Sequence, residues 1–438
     1  MDRTRVVVVG AGIIGAACAR ELAVAGFDVL VLDRAGPAAA TTSHGEGNIL
    51  VSDKGPGPEL ELAQLSRRLW PEVLAAVAGQ NPAGAGPDAV EWDPKGGIVV
   101  ATTPEGAEAL LPFAAAQRAV GVRAEVLDDD ALTAAEPFLT ERRTAAVHYP
   151  EDAQVQPAGA ATTLLADALR AGARLRTGAE VLGAVVRGGR LTAVRTADGT
   201  VEADVFVNAA GPWSGEVARR LGVRLDIRPR RGEVLVTTPR PPTVFHKVYD
   251  ADYVGAVGSG AGDLQTSAVV ESTRAGTLLL GSSRRRVGFD DRTRPEVLSA
   301  IAAKALTLFP SLADVPVMRA YGGFRPYVPD HLPVIGADPR LDGLWHATGH
   351  EGAGIGLSVG TARLVRELMT GTATAIDTDP FRVDRPAVLG DDATDTAPAT
   401  APATAPGDTS GAAPATAPGD RPPGSPRDAS TAATEERS

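Results

Sequence analysis

Residues 5–33 read Arg-Val-Val-Val-Val-Gly-Ala-Gly-Ile-Ile-Gly-Ala-Ala-Cys-Ala-Arg-Glu-Leu-Ala-Val-Ala-Gly-Phe-Asp-Val-Leu-Val-Leu-Asp and leave few choices of fold. Four consecutive valines, Val6 to Val9, are too few for a helix and too apolar for an edge strand, so they predict a strand buried on both faces. Gly10, Gly12 and Gly15 follow at GxGxxG spacing. The first permits a tight turn, the second lets backbone approach a pyrophosphate, and the third lets the next helix lie close on the strand. That helix is predicted to run to about Ala25 and stop at Gly26, with its N-terminal N–H groups turned to the phosphates. Val29 to Leu32 predict a second buried strand, and Asp33 stands where a carboxylate accepts ribose hydroxyls. A secretory signal is the competing reading, because Arg3 and Arg5 precede an apolar run and Ala-Val-Ala-Gly resembles a cleavage site. The spaced glycines and Asp33 argue against it. An acid at residue 33 disfavours a 2′-phosphate, so the ligand implied is FAD or NAD rather than NADP.

The 438 residues leave room for two or three domains, and 44% hydrophobic with 22% charged residues is ordinary soluble-globular composition. A formal net charge of -11 gives no reason to expect nucleic acid or an anionic membrane as partner. No apolar run approaches transmembrane length. Cys18 is the only cysteine, which excludes an internal disulfide and makes a small core residue the simplest role. A reducing cytoplasm is the expected compartment.

Ala38 to Asn48 is a small, polar, glycine-bearing loop expected to run close to something large and flat. Leu60 to Trp70 has apolar residues at helical spacing, and Gln80 to Pro87 reads as a loop and a domain boundary. A strand at Gly97–Ala101, a helix near 104–120 and a helix from Ala158 to Ala171 follow. Short strands at 180–187, 191–196 and 201–207 are separated by Gly188-Gly189 and Asp198-Gly199, which are hairpin signals. Residues 226–330 predict a second antiparallel block, 332–336 and 344–348 return to buried strands, and Ile355 to Met369 predict the last long helix. Beyond Arg385 the chain drifts into Ala-Pro-Ala-Thr repeats without an aromatic, so 386–438 are expected to be disordered.

The order of these pieces resembles the D-amino-acid oxidase family of FAD enzymes across about residues 5–370. The resemblance rests on the glycine unit with Asp33, on Val207-Asn-Ala-Ala-Gly-Pro-Trp-Ser214, on Gly322-Gly-Phe-Arg-Pro-Tyr-Val-Pro-Asp-His-Leu-Pro-Val-Ile-Gly336, and on Gly349-His-Glu-Gly-Ala-Gly-Ile-Gly-Leu357. Within the family the wording is similar to glycine oxidase and to the opine oxidase and D-hydroxyproline dehydrogenase beta-type subunits. The fold it implies is α/β, with a Rossmann-type FAD domain interrupted by an antiparallel-sheet α+β substrate domain. On that plan 1–87, 150–225 and 331–385 form the FAD domain, and 88–149 and 226–330 bind substrate.

The resemblance assigns FAD to Gly10, Gly12, Ile13, Ile14, Gly15, Asp33 and Arg34, to the loop residues Thr42, Ser43, His44, Gly45 and Gly47, and to Val181, Ala209, Gly211 and Trp213. It adds Gly323 and Arg325, and Gly352, Ala353, Gly354, Ile355 and Gly356 at the start of the last helix, whose N-terminus favours a negatively charged reduced ring. Hydride transfer from the α-carbon to flavin needs fixed geometry and no protein nucleophile. Arg325 matches the family's carboxylate-binding arginine, for which a guanidinium offers two parallel donors. Tyr253 falls where glycine-oxidase-like proteins place a substrate-facing tyrosine, or is an ordinary strand tyrosine. His350 and Glu351 either touch ring or substrate or cap the helix, and Arg231 and Glu233 read as structural. His44 stands three residues before Gly47, the spacing of the covalent flavin histidine in dimethylglycine and sarcosine dehydrogenases. Ser43 and Gly45 depart from that pattern, so noncovalent FAD is expected. The remaining histidines show no metal-ligand spacing, so no metal is expected.

The activity implied is oxidation of a small amino or imino acid at its C–N bond. Two alternatives stay open: a flavin-dependent 2-hydroxy-acid dehydrogenase, and an FAD-binding subunit of a larger complex. The partners implied are the small-molecule substrate and an electron-accepting partner subunit, with no nucleic acid and no transmembrane segment.

Overall fold

In the computed structural model Val6–Val9 form the predicted buried strand, with Val6 and Val8 packed into one core and Val7 and Val9 into another. The structure describes residues 3–80, 86–251 and 259–390. A six-stranded sheet has the order β18 (Val334–Ala337), β19 (Leu344–Thr348), β12 (Val205–Asn208), β1 (Arg5–Val9), β2 (Asp28–Leu32) and β8 (Arg174–Arg176). Its pairs are parallel except β18 with β19. Helix α1 (Ile13–Val24) follows β1 and packs between α5 (Pro157–Arg170) and α8 (Gly354–Thr370) on one face. The other face is closed by the three-stranded meander β9 (Gly183–Arg187), β10 (Arg190–Thr196) and β11 (Gly199–Glu202), and by α6 (Ser214–Leu221). Gly188 and Gly189, both at positive φ (56° and 79°), make the predicted β9–β10 turn.

An eight-stranded sheet carries the order β17 (Val317–Tyr327), β13 (Arg228–Thr237), β16 (Leu278–Arg284), β15 (Gln265–Ser272), β14 (Lys247–Asp250), β4 (Gly97–Ala101), β6 (Ala145–Tyr149) and β5 (Glu125–Val126). The segments 88–149 and 226–330 share this one sheet, because β14 pairs with β4 in parallel, while the hairpins at 183–202 form the separate meander. Helix α7 (Pro295–Leu308) buries Val297, Ile301 and Leu308 against that sheet beside Leu235, Leu280 and Val248. Helices α3 (Pro104–Ala119) and α4 (Asp129–Ala135) and the short pair β3 (Asn48–Ile49) and β7 (Ala153–Gln154) complete the described elements used below.

Two boundaries differ from the sequence reading. Helix α2 runs over Pro58–Gln80 rather than ending at Trp70, passing through Pro71. Trp70, Val73, Leu74 and Val77 are all buried, so packing of that apolar stripe outweighs the proline's missing donor. The ordered chain also does not stop at Arg385: α9 (Pro386–Leu389) adds a turn whose Val388 is fully buried, and Val388 O accepts from Asp226 N at 2.7 Å. Residues 391–438 lie outside the described residues. Among the described residues no helix is long and apolar enough to cross a membrane.

Candidate active site

The ends of β1, β2 and β12 and the N-terminus of α1 open onto a cavity of about 290 Å³. Gly10 sits at φ 112°, and a Cβ there would lie 2.5 Å from the Ala209 carbonyl oxygen, so only glycine makes this turn. Gly12 caps α1 without a side chain. Thr42 Oγ1 accepts from Ile13 N at 3.0 Å, and the remaining N–H groups of the first turn are left for an anion. Asp33 accepts from Ala11 N through Oδ2 at 2.7 Å and from Ala35 N through Oδ1 at 2.8 Å. Each oxygen keeps acceptor capacity for a further donor. Farther along, Arg34 lies 4.0 Å over the Trp213 ring, and Arg220 donates to Glu180 Oε1 and to the Val181 carbonyl.

The loop from Thr41 to Asn48 crosses from this cradle to the eight-stranded sheet, where Thr41 Oγ1 donates to Phe324 O at 2.7 Å. His44 Nδ1 lies 2.7 Å from Ala40 O, and its ring meets Tyr321 edge-on at 6.0 Å. Below the loop, three neighbouring strands each offer a glycine. A Cβ on Gly323 of β17 would lie 2.7 Å from His44 Cβ; on Gly232 of β13 it would strike the Arg325 guanidinium; on Gly281 of β16 it would strike the Glu46 carboxylate. Gly323 pairs with Gly232, and β13 lies between β17 and β16, so the three glycines form a floor on which His44, Arg325 and Glu46 rest. Arg325 Nη1 donates to Ser283 O at 2.8 Å across that floor, and Arg325 lines the cavity.

The far wall is the entrance to α8, where a short turn over Glu351–Ala353 leads into the helix without a side-chain cap. Gly352, Gly354 and Ile355 face the cavity. Glu351 holds a positive φ of 44°, rare for a residue with a side chain, and its carboxylate is held between Arg230 Nη1 at 3.1 Å and His331 Nδ1 at 2.9 Å. Arg230 is fully buried, with Tyr327 alongside at 5.5 Å.

The cavity brings together Gly10, Gly12, Ile13, Ile14, Asp33, Arg34, Thr42, His44, Gly45, Gly47, Val181, Ala209, Gly211, Trp213, Gly323, Arg325, Gly352, Gly354 and Ile355. Others fall elsewhere. Gly15 does not line it; a Cβ there would run into the Gly10 carbonyl, so Gly15 lets α1 lie on β1. Ser43 donates to Ala40 O and lines a second cavity beyond the loop. Ala353 and Gly356 line a small recess with Asn48 and Lys54, and a Cβ on Gly356 would lie 3.0 Å from Asn48 O, which makes it a packing residue. Tyr253 lies outside the described residues. His350, expected among the catalytic residues, reaches the cavity wall, but its ring is buried with Nε2 2.9 Å from Thr361 Oγ1, and burial drives its pKa down to about 3. A neutral ring tied to α8 belongs to the helix entrance. Arg231 and Glu233 are buried with Arg285, in the structural role expected.

Sequence reasoning missed Glu46, Gly232 and Gly281. An acid between two glycines, Gly45-Glu46-Gly47, was a readable signal; the two floor glycines had none, because what lies over them comes from distant segments.

The glycine turn, the uncapped N-termini of α1 and α8, and the acceptor capacity of Asp33 suit a dinucleotide with a planar ring system. Residues 5–368 match the family described as DAO, FAD dependent oxidoreductase. Glycine oxidase of Pseudomonas aeruginosa is 32% identical over 381 residues, spanning 86% of this chain and 98% of that protein. The crystal structure of glycine oxidase from Geobacillus kaustophilus superposes with a TM-score of 0.78 at 27% identity, over 87% of this chain and 99% of that one. L-proline dehydrogenase from P. horikoshii shares the fold, with a TM-score of 0.76 at 20% identity, over 87% and 97% of the two chains.

Proposed function

Because the chain belongs to the DAO family of FAD-dependent oxidoreductases, we propose that it oxidises the C–N bond of a small amino or imino acid. Bound FAD supplies the two-electron acceptor for a hydride leaving the substrate α-carbon. Gly10, Gly12, Ile13, Ile14, Asp33 and Arg34 hold the cofactor's phosphate and ribose portions. The loop at Thr42–Gly47 and the start of α8 hold the ring, without a covalent bond to His44. The eight-stranded sheet is the substrate platform.

The observation that carries the reading is Arg325. Its guanidinium covers Gly232 on the cavity floor with one nitrogen fixed by Ser283 O, and a planar guanidinium held in the cavity suits a carboxylate. An anchored carboxylate leaves the α-carbon with a fixed position, which is most of what hydride transfer asks of a protein. The N-terminus of α8 adds partial positive charge where reduction leaves negative charge. Glu351, held by Arg230 and His331, fixes the backbone of the Gly352–Gly354 turn.

Arg325→Ala tests this. Leaving the substrate carboxylate unpaired should cost about 2 to 5 kcal/mol, roughly thirty- to several-thousand-fold in kcat/KM, while FAD content stays unchanged. Arg325→Lys should recover only part. A panel of amino and imino acids under anaerobic conditions, read by bleaching of the flavin, identifies the substrate. The chosen acid is then compared with its amide. Wild type should discriminate strongly between them and the Ala variant little; equal treatment by both enzymes would remove Arg325 from the site.

A further inference from the structure

Glu46 is 8% exposed, lies on the same cavity floor as Arg325, and has one carboxylate oxygen, Oε1, without a hydrogen-bond partner in the protein. Its other oxygen is 3.5 Å from Asn48 Nδ2, the outer limit of a hydrogen bond. Asp33 and Glu180, which line the same cavity, each have a close donor. Burial raises Glu271 to about 7, Lys247 opposes this, and Glu46 adds to it. Lys247 is already committed to Glu271. A carboxylate removed from water needs a donor or cation, and the protein brings neither to Oε1.

The floor gives the missing group a place. Arg325 is anchored at Ser283 O and Glu46 lies over Gly281 of the same strand, so both charged groups border one cavity. An α-amino acid presents a carboxylate at one end and a nitrogen at the other, and each suits one of the two groups as a charge-assisted partner. We propose that Glu46 is the receptor for the substrate's amine nitrogen, so that Arg325 and Glu46 together read an amino acid as a zwitterion. This rests on the amino-acid reading of the site given above. Gly281 is then part of the receptor, because any side chain there would push the carboxylate away.

The test uses two unreactive ligands of one shape, 2-aminoisobutyrate and 2,2-dimethylpropanoate, which differ by an ammonium in place of a methyl group. Neither has an α-hydrogen, so neither is oxidised. Binding to the FAD-loaded protein is read from perturbation of the flavin absorbance. Wild type should bind the amino acid more tightly. Glu46→Gln should weaken it by roughly ten- to a hundredfold and leave the dimethylpropanoate affinity unchanged or improved. Should Glu46→Gln fail to retain FAD, Gly281→Ala displaces the same carboxylate and is read with the same pair. Wild type that binds both ligands alike, or a variant that weakens both by one factor, overturns the proposal. Arg325→Ala should weaken both ligands together; if it weakens neither, the carboxylate-anchor reading fails, and the Glu46 comparison keeps its own outcome.

Discussion

The Ala11 amide donates to Asp33 Oδ2 at 2.7 Å, so the carboxylate that closes β2 is tied to the glycine turn that closes β1. One side chain therefore sets the turn and, in the proposed binding mode, accepts from the ribose. Asp33→Asn replaces an acceptor with a donor beside Ala11 N–H, and FAD affinity should fall roughly ten- to a hundredfold. Equilibrium dialysis of the flavin measures it, and an unchanged dissociation constant would refute the role. On the noncovalent binding proposed above, acid precipitation should leave the flavin in the supernatant; colour retained in the pellet and lost in His44→Ala would show a bond to His44.

Gly232→Ala should disturb substrate binding without altering Arg325 itself. The added methyl group meets the guanidinium, so the side chain must swing off the floor. KM should rise by about tenfold or more with FAD content preserved, the amount set by how far a charged hydrogen bond is stretched. Steady-state kinetics on the substrate found in the panel decides; an unchanged KM means the arginine is not used in this pose.

Asp152 and Glu271 should each contribute stability that is lost as pH rises from about 4 to about 7. Burial raises Asp152 from 3.8 to about 6 and Glu271 from 4.5 to about 7, with Ser52 and Val51 N opposing the rise at Asp152 and Lys247 opposing it at Glu271. In that window these two carboxyls hold protons in the folded chain that the unfolded chain has released, while His350, lowered to about 3, acts in the opposite sense. Asp152→Asn removes one of the two groups. Between pH 5 and pH 8 its melting temperature should move upward relative to that of wild type, by roughly 1–3 °C; parallel profiles would show that Asp152 does not titrate there.

Truncation after Gly390 should leave flavin content and melting temperature unchanged, since residues 391–438 contain no aromatic or branched aliphatic side chain. Truncation after Arg385 should lower the melting temperature, because Val388 leaves the core and fully burying a valine contributes about 1.5–3 kcal/mol. Calorimetry on the two truncated proteins distinguishes the cases.

What was legible in the sequence was local. Val6–Val9, Gly10, Gly12, Gly15 and Asp33 each carry their role in their own spacing, and β1, α1 and β2 formed where that spacing places them. The parallel β14–β4 pairing joins segments with no shared local pattern; only the family resemblance grouped 88–149 with 226–330. His350 shows a second limit: its position at the start of α8 was readable, but the side chain turns to Thr361, a direction decided by the packed helix. Pro71 shows a third, since its helix-breaking tendency was readable and the burial of Trp70 and Val73 that overrides it was not.

The glycine floor bears on how such a site can be re-engineered. Gly232, Gly281 and Gly323 present backbone to Arg325, Glu46 and His44, so the strands beneath have no side chains there to exchange, and an added methyl acts at one remove by displacing one of those three. Altered substrate preference must then come from the residues suspended above. A mutant library that randomises positions 44 and 46 while holding the three glycines and Arg325 fixed samples shape and charge over a constant surface. One that randomises the strands mostly samples misplaced versions of the same three side chains.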